Sequence, residues 1–251
     1  MKHQGLCFGL GILAFQGLHA GTMGELSTYL QGVQKVATIT AGPDFVYQGG
    51  SQTRTLSPPF QNTYVSDKQW KGVGDFGGFL GLERAFRDWL GVQTGLSGYG
   101  NASIPISGDV WQFGLPKFDN FSYSYHVSHA RVMWSNKWLT NYPRYAALHP
   151  YFSWEIGAAF NRASGYQERA LIPLTAPMSP FHNHNQTSFS WSLGLGADYA
   201  VNEKIRVGLG YQFSDLGLVS LGATSAASTT QTLSLSHMYA NQLRFQLTFL
   251  A

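Results

Sequence analysis

Residues 188–213 read SFSWSLGLGADYAVNEKIRVGLGYQF, and this stretch decides the fold. Every second residue from Phe189 to Tyr199 is apolar or aromatic, and the residues between them are serine, glycine and aspartate. After the short segment 201–203 the alternation resumes and runs from Ile205 to Phe213. Alternation with a period of two on both sides of a short polar turn predicts an antiparallel β-hairpin.

Working outward from this hairpin, the same alternation predicts eight strands. In the last one, residues 242–249, apolar side chains occupy every second position. The segment 122–134 is less regular, because its apolar positions change phase partway along. This change of phase predicts a β-bulge near His129. The remaining predicted strands are residues 33–47, 76–86, 90–96, 151–160, 188–199 and 204–213.

The connections between these strands alternate strictly between long and short. A soluble lipocalin or sandwich has no reason to place every long connection at the same end, whereas a barrel in an outer membrane has long external loops and short periplasmic turns. The sequence therefore predicts an all-β fold, a transmembrane up-and-down antiparallel β-barrel of about eight strands with long external loops. The long connections are residues 48–71, 100–120, 161–187 and 214–236, and the short ones are 87–88, 136–144 and 201–203.

Composition is compatible with this interpretation without deciding it. Charged residues make up 12% of the chain, against roughly 25% in an ordinary soluble domain, and the mean hydropathy is only -0.11. A secreted β-sandwich would show similar values and stays open as an alternative. The face opposite the apolar one is rich in glycine and serine, which suits the narrow interior of an eight-stranded barrel. We therefore expect the apolar face to meet lipid.

The first twenty residues are typical of a cleavable signal peptide. Lys2 gives a basic start, residues 6–18 are mostly apolar, and Ala20 is a small residue at a plausible cleavage point. The predicted organisation is a signal peptide at 1–20 and a barrel domain at 21–251. Cys7 is the only cysteine, so the mature chain has no thiol for a disulfide or a metal site. We expect no cofactor and no metal.

Ionic residues on the predicted inner face carry both signs of charge. Opposite charges can pair across the interior of a barrel, and pairing offsets the cost of burying them. The sequence thus predicts a polar plug rather than an open pore. The residues of this predicted network are Asp75, Glu83, Glu155, Asp198, Arg206 and Arg244.

Residues 191–199 and 201–215 resemble the small outer-membrane β-barrel superfamily, which includes OmpA-type transmembrane domains, OmpW-like barrels and opacity-type surface proteins. The shared features are an aromatic and glycine strand, a short Asn/Glu turn and a charged restart. The resemblance implies the outer membrane of a Gram-negative bacterium, with membrane lipid, lipopolysaccharide and the barrel assembly machinery as partners. The last strand, with Phe245, Leu247 and Phe249, is similar to the assembly signal of this superfamily.

The function is expected to be that of a non-enzymatic surface barrel, adhesin-like or structural, whose loops meet host or extracellular ligands. A small-solute porin or OmpW-like channel is the alternative. The net charge of +3 and the absence of any Lys/Arg run argue against nucleic acid as a partner.

One enzyme hypothesis is a lipid A deacylase. His126 and Ser128 stand two residues apart, hence on one face of a strand, and resemble the His-x-Ser pair of those enzymes, with Glu155 as the assisting carboxylate. His129, however, follows Ser128 where those enzymes have a small amide residue. His126 and Ser128 are also expected to face the lumen, where lipid does not reach.

Overall fold

The computed structural model of the chain describes residues 32–48, 50–55, 61–140, 147–177, 179–223 and 232–251. Residues 32–251 form one compact unit. The predicted signal peptide, residues 1–20, lies outside the described residues. No helix in the described part is long and apolar enough to cross a membrane.

The described residues form fifteen strands and a single turn of 3-10 helix at Pro116–Phe118. The strands are β1 (Val33–Tyr47), β2 (Gly50–Thr55), β3 (Gln61–Ser66), β4 (Trp70–Arg87), β5 (Leu90–Asn101), β6 (Ile104–Gln112), β7 (Asp119–Thr140), β8 (Leu148–Ala170), β9 (Phe181–His182), β10 (His184–Ala200), β11 (Ile205–Asp215), β12 (Val219–Ser220), β13 (Gly222–Ala223), β14 (Ser234–Leu235) and β15 (Tyr239–Leu250).

Eight of these strands close into a ring. Each pairs antiparallel with the next in the order β1, β4, β5, β7, β8, β10, β11, β15, and β15 returns to β1, with Thr38 opposite Thr248. Closure leaves no unpaired edge among the eight, as a strand structure in lipid requires. The predicted up-and-down barrel of eight strands is confirmed.

The barrel has two sections, which differ in what each wall faces. We call the end near the short connections the lower section; on β7 and β8 it comprises residues 129–140 and 148–161. The upper section, at the end of the long connections, comprises residues 119–128 and 162–170 of the same strands, together with β3, β6 and the described loop residues.

The outer face of the lower section is a belt of exposed apolar side chains. On β8 the belt runs from Leu148, which is 40% exposed, to Phe160, which is 50% exposed. Twelve steps of about 3.3 Å along a strand tilted by about 40° give a height of about 30 Å, the thickness of a bilayer core. The belt therefore has the dimensions of a membrane-spanning band.

The polarity of the wall inverts between the two sections. Odd-numbered residues of β7 point inward along its whole length. Inward residues of the lower section are mostly polar, such as His129 and Arg131, whereas those of the upper section, such as Tyr123 and Tyr125, are aromatic or apolar. The outward residues invert in the opposite sense, from Val132 and Trp134 below to serines and a histidine above.

This inversion corrects the predicted β-bulge near His129. The apolar positions of β7 change phase because the surroundings change, and the backbone of β7 continues without an inserted residue there. The irregularity in the β7–β8 pair lies higher, where Ser124 faces Gln167 and His126 faces Ser164. The extra residue is on β8, at Gly165, which has a φ of +71°, a conformation that glycine adopts without strain.

The long connections contain more regular structure than the sequence predicts. In the first two of them, β6 pairs with the upper half of β7, β3 pairs with β6, and β2 pairs with β3. The strands also overrun their predicted ends: β7 continues to Thr140, and β8 continues to Ala170. The third long connection is correspondingly shorter than residues 161–187. The upper section is thus a sheet that extends beyond the belt.

Candidate functional site

The interior of the lower section holds the largest concentration of charge in the described structure. All six ionic residues of the predicted network point into this interior, where four of them, Asp75, Glu155, Asp198 and Arg244, are at most 6% exposed. The structure adds Asp44, Arg131 and Lys137 to the same space. We call these nine residues, four basic and five acidic in the described part of the chain, the lumen charge network.

The lower end of the network is made of two ion pairs. Arg206 donates two parallel hydrogen bonds to Glu83, with Nη1–Oε2 and Nη2–Oε1 distances of 2.7 and 2.9 Å. This two-pronged geometry is the strongest that arginine and a carboxylate adopt. Lys137 Nζ donates to Asp198 Oδ2 at 2.6 Å and lies 3.9 Å from the centre of the Tyr151 ring. The two pairs close the lumen just above the short turns.

Tyr151 fits there because two neighbouring strands carry glycine. A Cβ atom on Gly210 would lie 2.0 Å from the Tyr151 hydroxyl, and one on Gly196 would lie 2.6 Å from it. Both distances are far shorter than a van der Waals contact. The inward glycines of β10 and β11 therefore make room for a large ring inside the barrel.

The middle of the network is organised around Glu155 and Tyr99. Tyr99 Oη donates to Glu155 Oε1 at 2.6 Å, and Gln212 Nε2 donates to Glu155 Oε2 at 2.7 Å. The guanidinium carbons of Arg131 and Arg244 lie 4.8 and 4.0 Å from the centre of the Tyr99 ring. Aromatic rings attract such cations most strongly where water is excluded.

Both arginines of this layer are also held by hydrogen bonds. Arg131 Nη2 and Arg244 Nη2 each donate to Gln242 Oε1 at 2.9 Å, and Arg244 pairs with Asp75 at 3.1 Å. Together with Tyr99, Glu155 and Gln212, these side chains connect six strands of the wall across the lumen. The cavity that remains among these side chains has a volume of about 50 Å³, room for a few water molecules and too little for a solute.

Above the network, Asn161 ties the last long connection into the mouth of the barrel. Its side-chain amide donates to the carbonyl oxygens of Leu216 and Leu218 at 3.0 and 2.9 Å. His129 Nδ1 lies 2.5 Å from Asn161 Oδ1. One asparagine therefore links β7, β8 and the segment that follows β11.

The upper section is closed by an apolar core, which we call the apolar cap. Side chains from the wall and from all four long connections pack together at its centre and are almost completely buried. Tyr64 and Phe181 meet edge to face at 5.5 Å, and Phe181 and Tyr166 do so at 5.0 Å. The cap contains Val46, Tyr64, Ile104, Ile106, Val110, Phe121, Tyr123, Tyr125, Val127, Ala163, Tyr166, Phe181, Leu216, Val219, Leu221, Leu233, Leu235, Met238 and Ala240.

The network residues that sequence reasoning missed carried a usable signal. On β7 the outward positions 130, 132, 134 and 138 are apolar, so the odd positions between them point inward. Arg131 and Lys137 follow directly from that phase. Lys137 falls in the predicted short connection 136–144, but β7 continues through it to Thr140.

The residues of the deacylase hypothesis are not brought together. His126 and Ser128 were expected to face the lumen, but both are exposed on the outer face of β7 in the upper section. Glu155 lies inside the lower section, on the other side of the wall, with Tyr99, Ser135 and Gln212 as its hydrogen-bond partners. The wall of the barrel thus separates the carboxylate from the His-x-Ser pair.

A second cavity lies on the upper section, outside the cap. Its volume is about 330 Å³, and the carboxylates of Asp67 and Asp109 line it. Ser107 Oγ donates to Asp67 Oδ2 at 2.6 Å. Partial burial, with the nearby charges of Asp119 and Asp67, raises the pKa of Asp109 above its usual range. Tyr123 borders the same cavity, but its side chain is buried in the apolar cap, and its buried hydroxyl has no hydrogen-bond partner in the described structure.

Metal binding finds no support in the described part of the chain. No group of three or more histidine, cysteine, aspartate or glutamate side chains there is arranged to hold an ion.

Comparison with known proteins agrees with the closed eight-stranded ring. Residues 47–240 match the family model of the outer membrane protein beta-barrel domain. The chain belongs to this family. It is therefore an outer-membrane β-barrel protein of the Gram-negative type, as predicted.

Solved barrels of similar architecture share little sequence with the chain. The outer membrane protein OprG from Pseudomonas aeruginosa is 14% identical, with 85% of this chain and 95% of that chain covered and a TM-score of 0.43. Ail, the attachment invasion locus protein of Yersinia pestis, is 10% identical over 86% of this chain and 99% of that chain, with a TM-score of 0.35. Neisserial surface protein A is 11% identical over 85% and 96%, with a TM-score of 0.32.

No curated protein matches the chain in sequence.

Proposed function

We propose that the protein is a closed, non-enzymatic surface barrel, whose lower section anchors it in the outer membrane while its upper section meets ligands outside the cell. The main observation in support of this proposal is that the interior of the barrel is blocked. The lumen charge network fills the lower section and leaves a cavity of only about 50 Å³. The apolar cap closes the mouth a second time.

Opening either block would be energetically costly. Separating Arg244 from Asp75 and Gln242 would leave buried charges and polar groups without partners, which costs several kcal/mol. Opening the apolar cap would expose tightly packed aromatic side chains to water. These costs support a barrel that stays closed at rest, and they oppose the channel alternative.

The upper section supports a role in contact with ligands. Its outer wall on β7 and β8 is polar, and the cavity beside Asp67 and Asp109 is large enough for a small ligand. Asp67, Asp109, Glu168 and Arg169 all line it, and this mixture of charges favours a hydroxyl-rich group that both donates and accepts hydrogen bonds. We propose this cavity as the place where the surface barrel meets extracellular material.

Two further partners are part of the proposal. Phe245, Leu247 and Phe249 lie on the outer face of β15, between 38% and 56% exposed, where the barrel assembly machinery would recognise them before insertion. Lipopolysaccharide would surround the belt where it meets the upper section.

Planar-bilayer recording tests the closed state directly. The purified full-length mature protein should give no discrete current steps at any voltage at which the bilayer is stable. A variant in which residues 216–238 are replaced by a short turn should also remain silent, because the lumen charge network alone blocks the path. Discrete steps from the wild-type protein would overturn the proposal in favour of a channel, and steps from the shortened variant alone would assign the block to the last long connection.

The deacylase alternative has its own assay. Incubation of the folded barrel with lipid A should release no fatty acid. Ester release that Ser128→Ala abolishes would contradict the non-enzymatic assignment.

A further inference from the structure

Two basic side chains lie on the lipid-facing side of the barrel wall near its periplasmic end. On β4, residues 80, 82, 84 and 86 point outward, which places Arg84 between Leu82 and Phe86 of the belt. On β1, Lys35 points outward as well and is exposed. None of the ion pairs between described residues involves Arg84 or Lys35. A charge on the lipid face is tolerated only near the interface, where it reaches polar headgroups.

The register brings these two cations together. Lys35 stands directly opposite Leu82, and Arg84 stands directly opposite Val33. They are therefore diagonal neighbours on one face of the β1–β4 pair, about 7–8 Å apart at the backbone. Their long side chains can converge on a single group, and the shared chemistry of a guanidinium and an ammonium favours a phosphate.

An apolar groove begins beside Arg84. It has a volume of about 580 Å³ and is lined by Leu82 and Phe86 on one side and by Trp138 on the other. Its floor is β5, whose outward residues Val92 and Thr94 are small compared with the flanking aromatics. Apart from Arg84, nearly the whole surface of the groove is apolar, which suits a hydrocarbon chain.

The position of the groove indicates which leaflet of the membrane supplies the ligand. Arg84 lies near the two-residue turn between β4 and β5, at the end of the barrel with the short connections. Short turns of outer-membrane barrels face the periplasm. The leaflet at this level consists of phospholipid, whereas lipopolysaccharide occupies the opposite leaflet. A phosphate at the periplasmic surface, with an acyl chain that extends from it into the membrane, matches two cations beside an apolar groove.

We propose that Lys35, Arg84 and the β4–β5–β7 groove form a binding site for one anionic phospholipid of the periplasmic leaflet. The two cations hold its phosphate, and the groove between Leu82 and Trp138 takes an acyl chain. The site lies on the outer surface of the wall, so it is independent of whether the lumen conducts.

Native mass spectrometry of the folded protein released from phosphatidylglycerol-containing nanodiscs tests the site. The wild-type barrel should retain one phosphatidylglycerol at a collision energy that strips phosphatidylcholine. The double variant Lys35→Gln/Arg84→Gln should lose retention at least tenfold. Arg162→Gln, which removes an outward cation from the upper section, is the matched control and should retain lipid like the wild type.

A second variant probes the groove without touching the charges. Val92→Trp fills the floor with a bulky side chain that a lipid-facing position accommodates, and it should also lower retention. Equal retention by the wild type and the double variant would overturn the proposal, as would a dimer whose interface covers Arg84 and excludes lipid. Equal retention of phosphatidylcholine and phosphatidylglycerol would show that only the groove binds, and would refute the role of the two cations.

Discussion

The lower and upper sections of the barrel share strands but differ in which face of the wall is apolar. In the lower section, residues 129–140, β7 turns mostly polar side chains inward and apolar ones outward. In the upper section, residues 119–128, it does the reverse. The backbone is continuous through this point, and only the medium outside the wall changes. The polarity of each face of a β-strand therefore depends on the medium that this face meets. One strand can pass from lipid into water, and its pattern then inverts.

The interiors of the two sections follow from the same rule. Lipid outside the lower section takes the apolar residues, so the residues left for the lumen are polar and must satisfy one another. Water outside the upper section takes the polar residues, so its interior packs like the core of a soluble sheet protein. The lumen charge network and the apolar cap therefore both follow from the position of the boundary between lipid and water on the outer wall.

Breaking the network should have the largest effect. Arg244→Leu leaves Asp75 buried without its arginine and removes one of the two cations beside Tyr99, and should cost about 3–5 kcal/mol of unfolding free energy. Urea titration in lipid vesicles measures this loss. Arg162→Leu, on the outer face of the upper section, is the control and should leave the midpoint unchanged. A small loss from Arg244→Leu would mean that the network does not stabilise the lower section.

A charge introduced on the outer face should have a somewhat smaller effect on the unfolding free energy, and only in the lower section. Val132 and Ser124 lie on the same strand and point outward. Val132→Arg places a cation in the belt and should destabilise the barrel by about 2–4 kcal/mol. Ser124→Arg should have no measurable effect on the same titration. Equal losses from the two variants would mean that the boundary does not lie between these residues.

Substitution of the glycine at the β8 bulge should have the smallest effect on the unfolding free energy. Gly165 has a φ of +71°, so Gly165→Ala should cost about 1–2 kcal/mol through backbone strain. Gly98→Ala is the matched control, because Gly98 has ordinary backbone angles and nothing nearer than 3.9 Å to an added Cβ. A neutral Gly165→Ala would argue that the irregularity of the β7–β8 pair is not at this residue.

The sequence was sufficient to predict the barrel, because period-2 alternation and the order of long and short connections depend only on local pattern. It also placed Asp75, Glu83, Glu155, Asp198, Arg206 and Arg244 on the inner face, since each stands in phase with glycine, serine or glutamine. It did not predict which of them pair, because Glu83 and Arg206 lie 123 residues apart. Cross-lumen distances depend on strand register and on barrel closure, which no local pattern contains.

The predicted orientation of residues 123–128 is wrong because a rule that holds only in lipid, apolar side chains outward, does not apply to the whole length of β7. The rule that apolar residues face lipid, which holds in the lower section, predicts that Tyr123, Tyr125 and Val127 face lipid as well. His126 and Ser128 were then assigned to the lumen by default. Both assignments are inverted, since the upper half of β7 stands in water.

The boundary on β7 is the most direct test of this account. The mature chain is predicted to contain no cysteine, so single cysteines can be placed at positions 122, 124, 126, 128, 130, 132 and 134 and spin-labelled in lipid vesicles. The account predicts collisions mainly with a water-soluble nickel chelate at 122–128 and mainly with dissolved oxygen at 130–134, with the crossover between Ser128 and Ala130. Lipid-like or water-like accessibility along the entire face would contradict it.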